Sequence, residues 1–584
     1  MKLYRNEYTA KGTKVQRKGK VMSMKLTGAE IVVECLLEQG VDTVFGFPGG
    51  AVLNIYDALY EYSDRMRHIL TSHEQGASHA ADGYSRSTGK TGVVIATSGP
   101  GATNLVTGIA TAYMDSIPMV AITGNVATSL LGLDSFQEVD ITGITMPVTK
   151  HNYIVKDVNQ LADIIREAFY LAQEGRKGPV LIDIPKDITQ QKAEFENKPL
   201  REIEFKPHPG LEAEIAEAVR MLENSRKPFI YAGGGVVSCD AGPELKEFAE
   251  KLDAPVSMSL MGRCGMDNTH PAHIGMLGMH GTKTASLVIQ ECDLMVVLGS
   301  RFSDRVTCNV ASFAKGKKIL HVEIDPAEIN KNVTVDHKVV GNLKYILTRF
   351  NECLSAQKHP EWMQEVAEWK AEYPLRQVGD NPEAVLPQYV LNTLHEVTQG
   401  EAILSTEVGQ HQMWAAQYYD FRCPRSFITS GGLGTMGFGL GASIGSKLGN
   451  PERTVVNVAG DGSFFMNLNE LATLAKYNIP VIELVFNNQV LGMVRQWQRL
   501  FYNKHFSQTN LERNTDFELL AKAFGIKFFR IEKKSQVRSV LEQAVQAGEP
   551  VLIDCRIDKD INVLPMVPAG ASINDPILEI EIND

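Results

Sequence analysis

The pentapeptide Pro179-Val180-Leu181-Ile182-Asp183 recurs letter for letter as Pro550-Val551-Leu552-Ile553-Asp554. It is the last of several matches that keep one order. Val93-Val94-Ile95-Ala96 precedes a glycine turn, as Val455-Val456-Asn457-Val458 does, and Ile117-Pro118-Met119-Val120 answers to Ile479-Pro480-Val481-Ile482, both pairs 362 residues apart. At that offset His73 to Ala77 falls opposite Thr435 to Gly439, and Gly83 opposite Gly445; the pentapeptide comes nine residues later than the offset requires. Any one match could be chance, but four in order indicate one module used twice. In each copy short Val/Ile-rich runs alternate with helical patterns, the sign of a parallel sheet covered on both faces.

A third α/β unit lies between the copies. Its strands are suggested by Pro228 to Tyr231, Leu294 to Leu298 and Ile319 to Ile324, with charged, proline-containing linkers near 186–209 and 346–385. The expected fold class is therefore α/β, with three doubly wound parallel-sheet domains at 25–188, 210–345 and 384–560 and a C-terminal tail at 561–584. At 584 residues the chain is too long for one core, which agrees with that division.

Residues 1–24 form a basic extension, in which Lys2, Arg5, Lys11, Lys14, Arg17, Lys18 and Lys20 face the single acid Glu7. A solvated tail or an upstream start codon explains it; a transit peptide is the alternative, but the segment is poor in serine and lacks an amphipathic pattern. An amphipathic helix pattern opens at Leu26-Thr27-Gly28. A net charge of −11 argues against nucleic acid or an anionic membrane as the main partner. The eight cysteines are scattered without a C-x-x-C pair, as in reduced cytosolic proteins, and no apolar run reaches the length of a membrane span. The expected location is the cytoplasm.

Gly460-Asp461-Gly462-Ser463 reads as a strand end, a tight turn and a helix start, and Asn487-Asn488 ends the next strand pattern. A carboxylate and a carboxamide then share one sheet edge, where hard oxygen ligands suit Mg²⁺ with phosphate oxygens completing its shell. Glycines and a helix start favour a diphosphate beside them. In the first copy, Ile69 to Ser72 delivers Glu74 to a strand end at the start of a helix running from Gln75 to Arg86. That carboxylate could merely face the helix dipole. Yet ligands in open α/β sheets gather at the carboxyl ends of strands, and the same edge of the second copy carries the metal pattern.

At this point a resemblance becomes specific. Gly46 to Gly50, His73 to Ala77, Thr97 to Gly101 and Phe136-Gln137-Glu138 resemble the pyrimidine-binding domain of the acetohydroxyacid synthase (acetolactate synthase) large subunits, which use thiamine diphosphate (ThDP). Gly409 to Trp414, Gly431 to Gly437, the Gly460 and Asn488 motifs and Gly492 to Trp497 resemble the diphosphate-binding domain of that family. The match runs from about residue 25 to 575.

The resemblance implies decarboxylation of pyruvate and condensation with a second pyruvate or 2-ketobutyrate, a carboligase transferase step in branched-chain amino-acid biosynthesis. It gives Glu74, Gln137 and Gly50 catalytic places, with Glu74 at the pyrimidine nitrogen. Pro48, Val408, Gly409, Gln410, His411, Gly434 and Met493 would line the ThDP site with Gly460, Gly462 and Ser463. Asp461 and Asn488 would hold Mg²⁺ with the carbonyl of Val490. Met436, opposite Glu74 in the repeat, corresponds to the wedge that bends ThDP. Phe136, Arg305 and Trp497 match substrate-binding positions; alone, Arg305 reads as a surface ion-pair residue and Trp497 as core.

The family context also implies a non-redox FAD. Gly233, Gly234, Leu277, Gly278, Met279 and His280 would take part, as would Gly299, Ser300, Arg301, Arg305, Glu323 and Ile324. Ser303 and Asn342 stand where the family usually has Asp, and Arg263-Cys264 departs from its usual loop, which bears on FAD affinity. Lys150 has no assigned role. A homodimer or homotetramer with Glu74 serving the other subunit's cofactor, and a small regulatory subunit, are further implications. Pyruvate oxidase or another flavin-containing ThDP lyase is the alternative enzyme. A catalytically silent ThDP- or FAD-binding protein is the alternative outside enzymes, and the joint presence of Glu74, Asp461 and Asn488 argues against it.

Overall fold

The duplicated Val/Ile runs become strands with the same neighbours in both copies. The computed structural model describes residues 23–375 and 383–579. Residues 1–22 of the basic extension, 376–382 of the second linker and 580–584 of the tail lie outside the described residues. In the first copy the strands Thr43–Phe47, Arg67–Leu70, Gly92–Ala96, Met119–Asn125, His151–Ile154 and Pro179–Pro185 form one parallel sheet. Numbered along the chain, their spatial order is 2-1-3-4-6-5. The second copy repeats that order with Ile403–Thr406, Phe427–Ile428, Val455–Gly460, Val481–Asn487, Lys527–Ile531 and Val551–Arg556. The middle sheet, from Pro228–Ala232 to His337–Val340, is also parallel but ordered 3-2-1-4-5-6. The apolar runs are continuous because helices bury both faces of each sheet.

The two copies pack against each other through Glu74–Thr88 and Gly439–Gly449. Their backbones nearly touch: a Cβ on Gly83 would lie 2.0 Å from the Ala442 carbonyl oxygen, and one on Gly445 would lie 1.8 Å from that of Ala80. Both glycine–alanine pairs are related by the 362-residue offset, so the crossing has local two-fold symmetry. Only a residue without Cβ permits that approach. Arg86 reinforces it from the first helix, pairing with Asp82 and Asp115 and donating to the Thr429 carbonyl at 2.8 Å.

The middle domain is tied to both copies. Arg176 of the first meets Asp325 and Glu328 at 3.2 and 2.9 Å. Arg263, singled out as a departure, is buried, donates to the Ala416 carbonyl at 2.7 Å and meets His273 at 2.9 Å. Lys150 donates to the Leu171 and Glu174 carbonyls at 2.5 and 2.7 Å, which fixes a helix end.

Some segments are more ordered than the composition suggests. The linker near 346–385 carries the helices Leu343–Cys353 and Pro360–Glu372; the second docks Trp362 under the middle sheet, where its indole donates to the Pro228 carbonyl at 3.0 Å. Met24–Thr27 pairs antiparallel with Lys192–Phe195. In the C-terminal tail Val563, Met566, Val567 and Ile573 are buried, and Val567 donates its N–H to the Met279 carbonyl at 2.8 Å. All eight cysteines are free. Among the described residues no helix is long and apolar enough to cross a membrane.

Candidate active site

The strands Val455–Gly460 and Val481–Asn487 are neighbours, with Gly460 opposite Phe486. Asp461 and Asn488 therefore leave the sheet side by side at its carboxyl edge. Asp461 opens the helix Asp461–Asn467, is buried, and has no hydrogen-bond partner for Oδ1. Burial pushes its carboxyl up to about 6. Backbone N–H groups, that of Asn488 foremost, and Arg513 offset only part of that burial; a cation at the unpartnered Oδ1 would offset the rest, and Mg²⁺ with phosphate oxygens fits this hard-oxygen edge. Asn488 accepts the Val490 N–H at 3.2 Å. The backbone bonds flanking Val490, Leu491 to Thr509 and Leu511 to Gln489, do not use its carbonyl. Among the described residues no group of three or more His, Cys, Asp or Glu side chains could hold a metal, so a mixed carboxylate–carboxamide–carbonyl set is the fitting candidate.

The Gly460 turn has an ordinary φ of −99°, so its glycine serves close approach rather than a left-handed backbone. A Cβ there would fall 2.7 Å from His411 Nδ1. His411 and Gln410 are buried, and His411 Nε2 and Gln410 Oε1 lack partners. Burial pushes the His411 imidazole down to about 3, leaving it neutral. Ser463 and Gly462 follow in the buried first turn, whose helix dipole suits an anion. Of the two unpartnered atoms only His411 Nε2, as the N–H tautomer, can donate to a diphosphate, because Gln410 Oε1 is an acceptor and its amide group already donates to Gln496 and to the Ile561 carbonyl. The Met436 turn beside them is held from beneath by Glu407, which accepts the N–H of Gly437 at 2.6 Å and of Leu440 at 3.2 Å.

In the first copy, Glu74 occupies the first position of its helix, behind the N-cap His73, whose ring accepts the Gln75 N–H at 3.1 Å. Its half-buried carboxylate accepts from Asn104 Nδ2 at 2.9 Å. The turn from Thr97 to Gly101 packs beside it, under the loop that bears Phe136 and Gln137. Gln137 has a φ of +61°, and its carbonyl oxygen would be 3.0 Å from a Cβ on Gly99. Phe136 is 88% exposed, with Leu133 and Met146 each 66% exposed on nearby loops. Pro48 is half-buried, and Gly50 is exposed with open space where a side chain would be.

A cavity of about 1490 Å³ opens among the three domains. The middle domain lines it with Gly234, Leu277, Met279, His280, Gly299, Ser300, Arg301, Arg305, Glu323 and Ile324; the second copy adds Val408, Gly409, Gly434, Met493 and Trp497. Gly233 and Gly278 stand just behind, the first against Gly299 and Ser300, the second against Arg305. The volume exceeds that of an ordinary ligand pocket and fits a dinucleotide-sized group. Burial pushes His280 down to about 4 and raises the Glu323 carboxyl, which accepts the Ile324 N–H at 2.9 Å. Arg305 is exposed and touches Met279 Sδ at 3.8 Å, and Trp497 packs on Phe501 with ring centres 5.2 Å apart. Asn342 caps the helix Leu343–Cys353 by accepting the Tyr345 N–H at 3.0 Å, a task Asn performs as well as Asp. Ser303 makes no side-chain capping bond.

Glu74, Gly50, Phe136 and Gln137 do not line that cavity. Among the described residues, no hydrogen bond or ion pair joins Glu74 to Asp461, Asn488 or Met436. Asp461, Asn488, Gly460, His411 and Met436 do not line the cavity either, so the residues fall into three groups: the Glu74 edge of the first copy, the Asp461 edge of the second, and the cavity, which Val408, Gly409, Gly434 and Met493 of the second copy help to line. Asn104 and Glu407 were missed; each sits within a few residues of a recognised motif, which was the signal available.

The chain matches the thiamine pyrophosphate enzyme family over three stretches: its N-terminal TPP binding domain at 26–144, its central domain at 215–350 and its C-terminal TPP binding domain at 407–555. It is 44% identical over 572 residues to the probable acetolactate synthase large subunit of Methanocaldococcus jannaschii, spanning 95% of this chain and 96% of that one. The acetolactate synthase isozyme 2 large subunit of Escherichia coli is 45% identical over 558 residues, spanning 95% and 100%. An acetolactate synthase of Mycobacterium bovis is 46% identical, spanning 95% and 92%. The chain belongs to the acetolactate synthase large-subunit family. The first and third parallel sheets therefore belong to the N-terminal and C-terminal TPP binding domains of the family, and the middle sheet to its central domain.

Proposed function

We propose that the chain catalyses decarboxylation of pyruvate and joins the remaining two-carbon unit to pyruvate or 2-ketobutyrate, making 2-acetolactate or 2-aceto-2-hydroxybutyrate for branched-chain amino acids. The observation that carries this reading is the orphaned, buried Asp461 beside Asn488, set against a duplicate edge that presents Glu74 instead. Bound ThDP would supply an acidic carbon that adds the 2-keto acid and takes up the electrons released with CO₂.

The protein's own groups would then do the following. Asp461, Asn488 and the Val490 carbonyl hold Mg²⁺ against the diphosphate, and Met436 braces the coenzyme. Glu74, fixed by Asn104, holds a proton at the pyrimidine nitrogen. Phe136 and Gln137 exclude water from the reacting carbons. Arg305 takes the acceptor's carboxylate in a charge-assisted pair, and Trp497 offers an apolar wall to its alkyl chain. The products of two pyruvates, acetolactate and CO₂, balance without an oxidant, so an FAD in the large cavity has a structural place and no redox duty. Among the described residues no hydrogen bond or ion pair joins the Glu74 carboxylate itself to Asp461 or Asn488, and the exposed Phe136 stands on the Glu74 side, which supports a homodimer or a pair of dimers completing each site. The relatives named as large subunits support a separate small regulatory partner, and the reduced cysteines support a cytoplasmic enzyme.

The test is acetoin colour after acidifying a pyruvate reaction, with ThDP, Mg²⁺ and FAD omitted in turn. Colour that requires ThDP and Mg²⁺, without bleaching of bound flavin, is expected. Flavin bleaching by pyruvate without acetolactate would instead point to pyruvate oxidase.

A further inference from the structure

The two copies also touch where their catalytic turns begin. Asp115 ends the helix Val106–Asp115, and its carboxylate accepts the N–H of Gly432 at 2.7 Å and of Gly431 at 3.1 Å. Tyr477 ends the helix Leu471–Tyr477, and its hydroxyl oxygen accepts the N–H of Leu70 at 2.9 Å. Asp115 and Tyr477 are 362 residues apart, and so are Leu70 and Gly432. One bond is therefore made twice, with the copies exchanging roles.

Each clamp has a buried charged reinforcement. Glu470 accepts the N–H of Ser72 at 3.1 Å and of His73 at 3.1 Å, while Ser72 Oγ donates to the Asn469 carbonyl at 2.9 Å. Opposite, Arg86 holds Asp115 at 3.0 Å and reaches the Thr429 carbonyl. The side chains of Arg86 and Asp115 are only 4% and 1% exposed. Both clamps are tight: a Cβ on Gly76 would lie 2.2 Å from Glu470 Oε1, and one on Gly432 would lie 2.8 Å from Asp115 Oδ1. Leu70 to His73 runs directly into Glu74, and Gly431 to Gly434 into Met436. Charge-assisted bonds in a buried setting are the strong, geometry-fixing kind.

We propose that Glu470 and Asp115 are positioning residues. The second copy sets the place of Glu74 through Glu470, and the first sets the Gly431 to Met436 turn through Asp115. This deepens the proposed function, on which it rests for the roles of Glu74 and Met436. If those two turns serve different coenzyme molecules in a dimer, each chain becomes a stiff link between two active sites.

The test uses the full chain carrying Glu470→Gln or Asp115→Asn. Hydrogen exchange without coenzyme should rise in residues 70–76 for the first variant and in 430–437 for the second, each sparing the other turn. Glu470→Gln should lower kcat about tenfold or more while the half-saturating ThDP concentration stays within about twofold, because small misplacements of a catalytic group act on the chemical step. Asp115→Asn should raise half-saturating ThDP about tenfold with a smaller fall in kcat. If either variant fails to fold, Tyr477→Phe removes one acceptor alone and must raise exchange at 70–76 only. Exchange rising in both turns together, or in neither, overturns the proposal. So do equal losses in kcat and half-saturation for both variants. A wild-type chain that makes no acetolactate would end the functional reading yet leave the exchange result to decide the clamp.

Discussion

The two copies of the module share strand order, helix crossing and clamp, yet differ at the positions that touch chemistry. Glu74 faces Met436 across the 362-residue offset, and Asp461 corresponds to Gly99. In the proposed reading one edge supplies a proton-holding carboxylate and no metal ligand, and the other the metal ligand and an apolar wedge. The turn from Thr97 to Gly101 is closed over by Gln137, whereas the Gly460 turn opens beside unpartnered Asp461, Gln410 and His411 atoms. Duplication thus supplied two similar edges, and single substitutions divided the labour between them.

Substitutions at the paired positions should break this symmetry in graded ways. Asp461→Ala should remove activity by on the order of 10³-fold and abolish Mg²⁺-dependent ThDP binding, checked by calorimetry, because the metal's charge stabilisation goes with it. Glu74→Gln should cost roughly 10²- to 10³-fold in kcat, with ThDP affinity nearly unchanged, since only proton handling is lost. Comparable loss of coenzyme affinity in both variants would erase the proposed division.

The helix crossing sharpens the comparison in the other direction, because there the copies should behave alike. Gly83→Val and Gly445→Val each place atoms on a facing backbone, and each should destabilise by about 3 kcal/mol in urea titrations. Unequal costs would mean that the two-fold packing is only approximate.

Glu407 gives the smallest effect. Burial lifts its carboxyl from 4.5 to about 7, and the nearby Glu483 is raised too, by burial with Glu407 as a lesser cause. Stability from Glu407 is fully present below about pH 4.5 and lost as pH rises through about 7, on the order of 3 kcal/mol in all. Glu407→Gln carries no such proton, so its denaturation midpoint should fall less between about pH 5 and about pH 8 than that of the wild type. Equal slopes would show that Glu407 stays ionised.

How much of this could be read beforehand depends on the kind of signal. Strand runs and glycine turns repeat in the letters, so the two copies and the middle unit were legible, as were Asp461 with Asn488. Asp115 and Glu470 were not, because a carboxylate accepting backbone N–H groups from a distant segment leaves no local pattern. The charged linker hid two helices because Trp362 and Val366 gain their meaning only against the middle sheet. Asn342 looked like a loss for a cofactor, but its observed work is capping a helix. The Glu74 edge was recognisable as chemistry, while the 88% exposure of Phe136 was not, since no local pattern tells an exposed aromatic from a buried one.

The most direct measurement mixes two inactive proteins. Glu74→Gln and Asp461→Ala chains, unfolded together and refolded at equal concentration, should regain about a quarter of wild-type acetolactate synthesis, since half the dimers would be mixed and each would hold one intact site. If the mixture stays as inactive as its parents while forming mixed dimers, Glu74 and Asp461 do not meet across two chains, and the account fails.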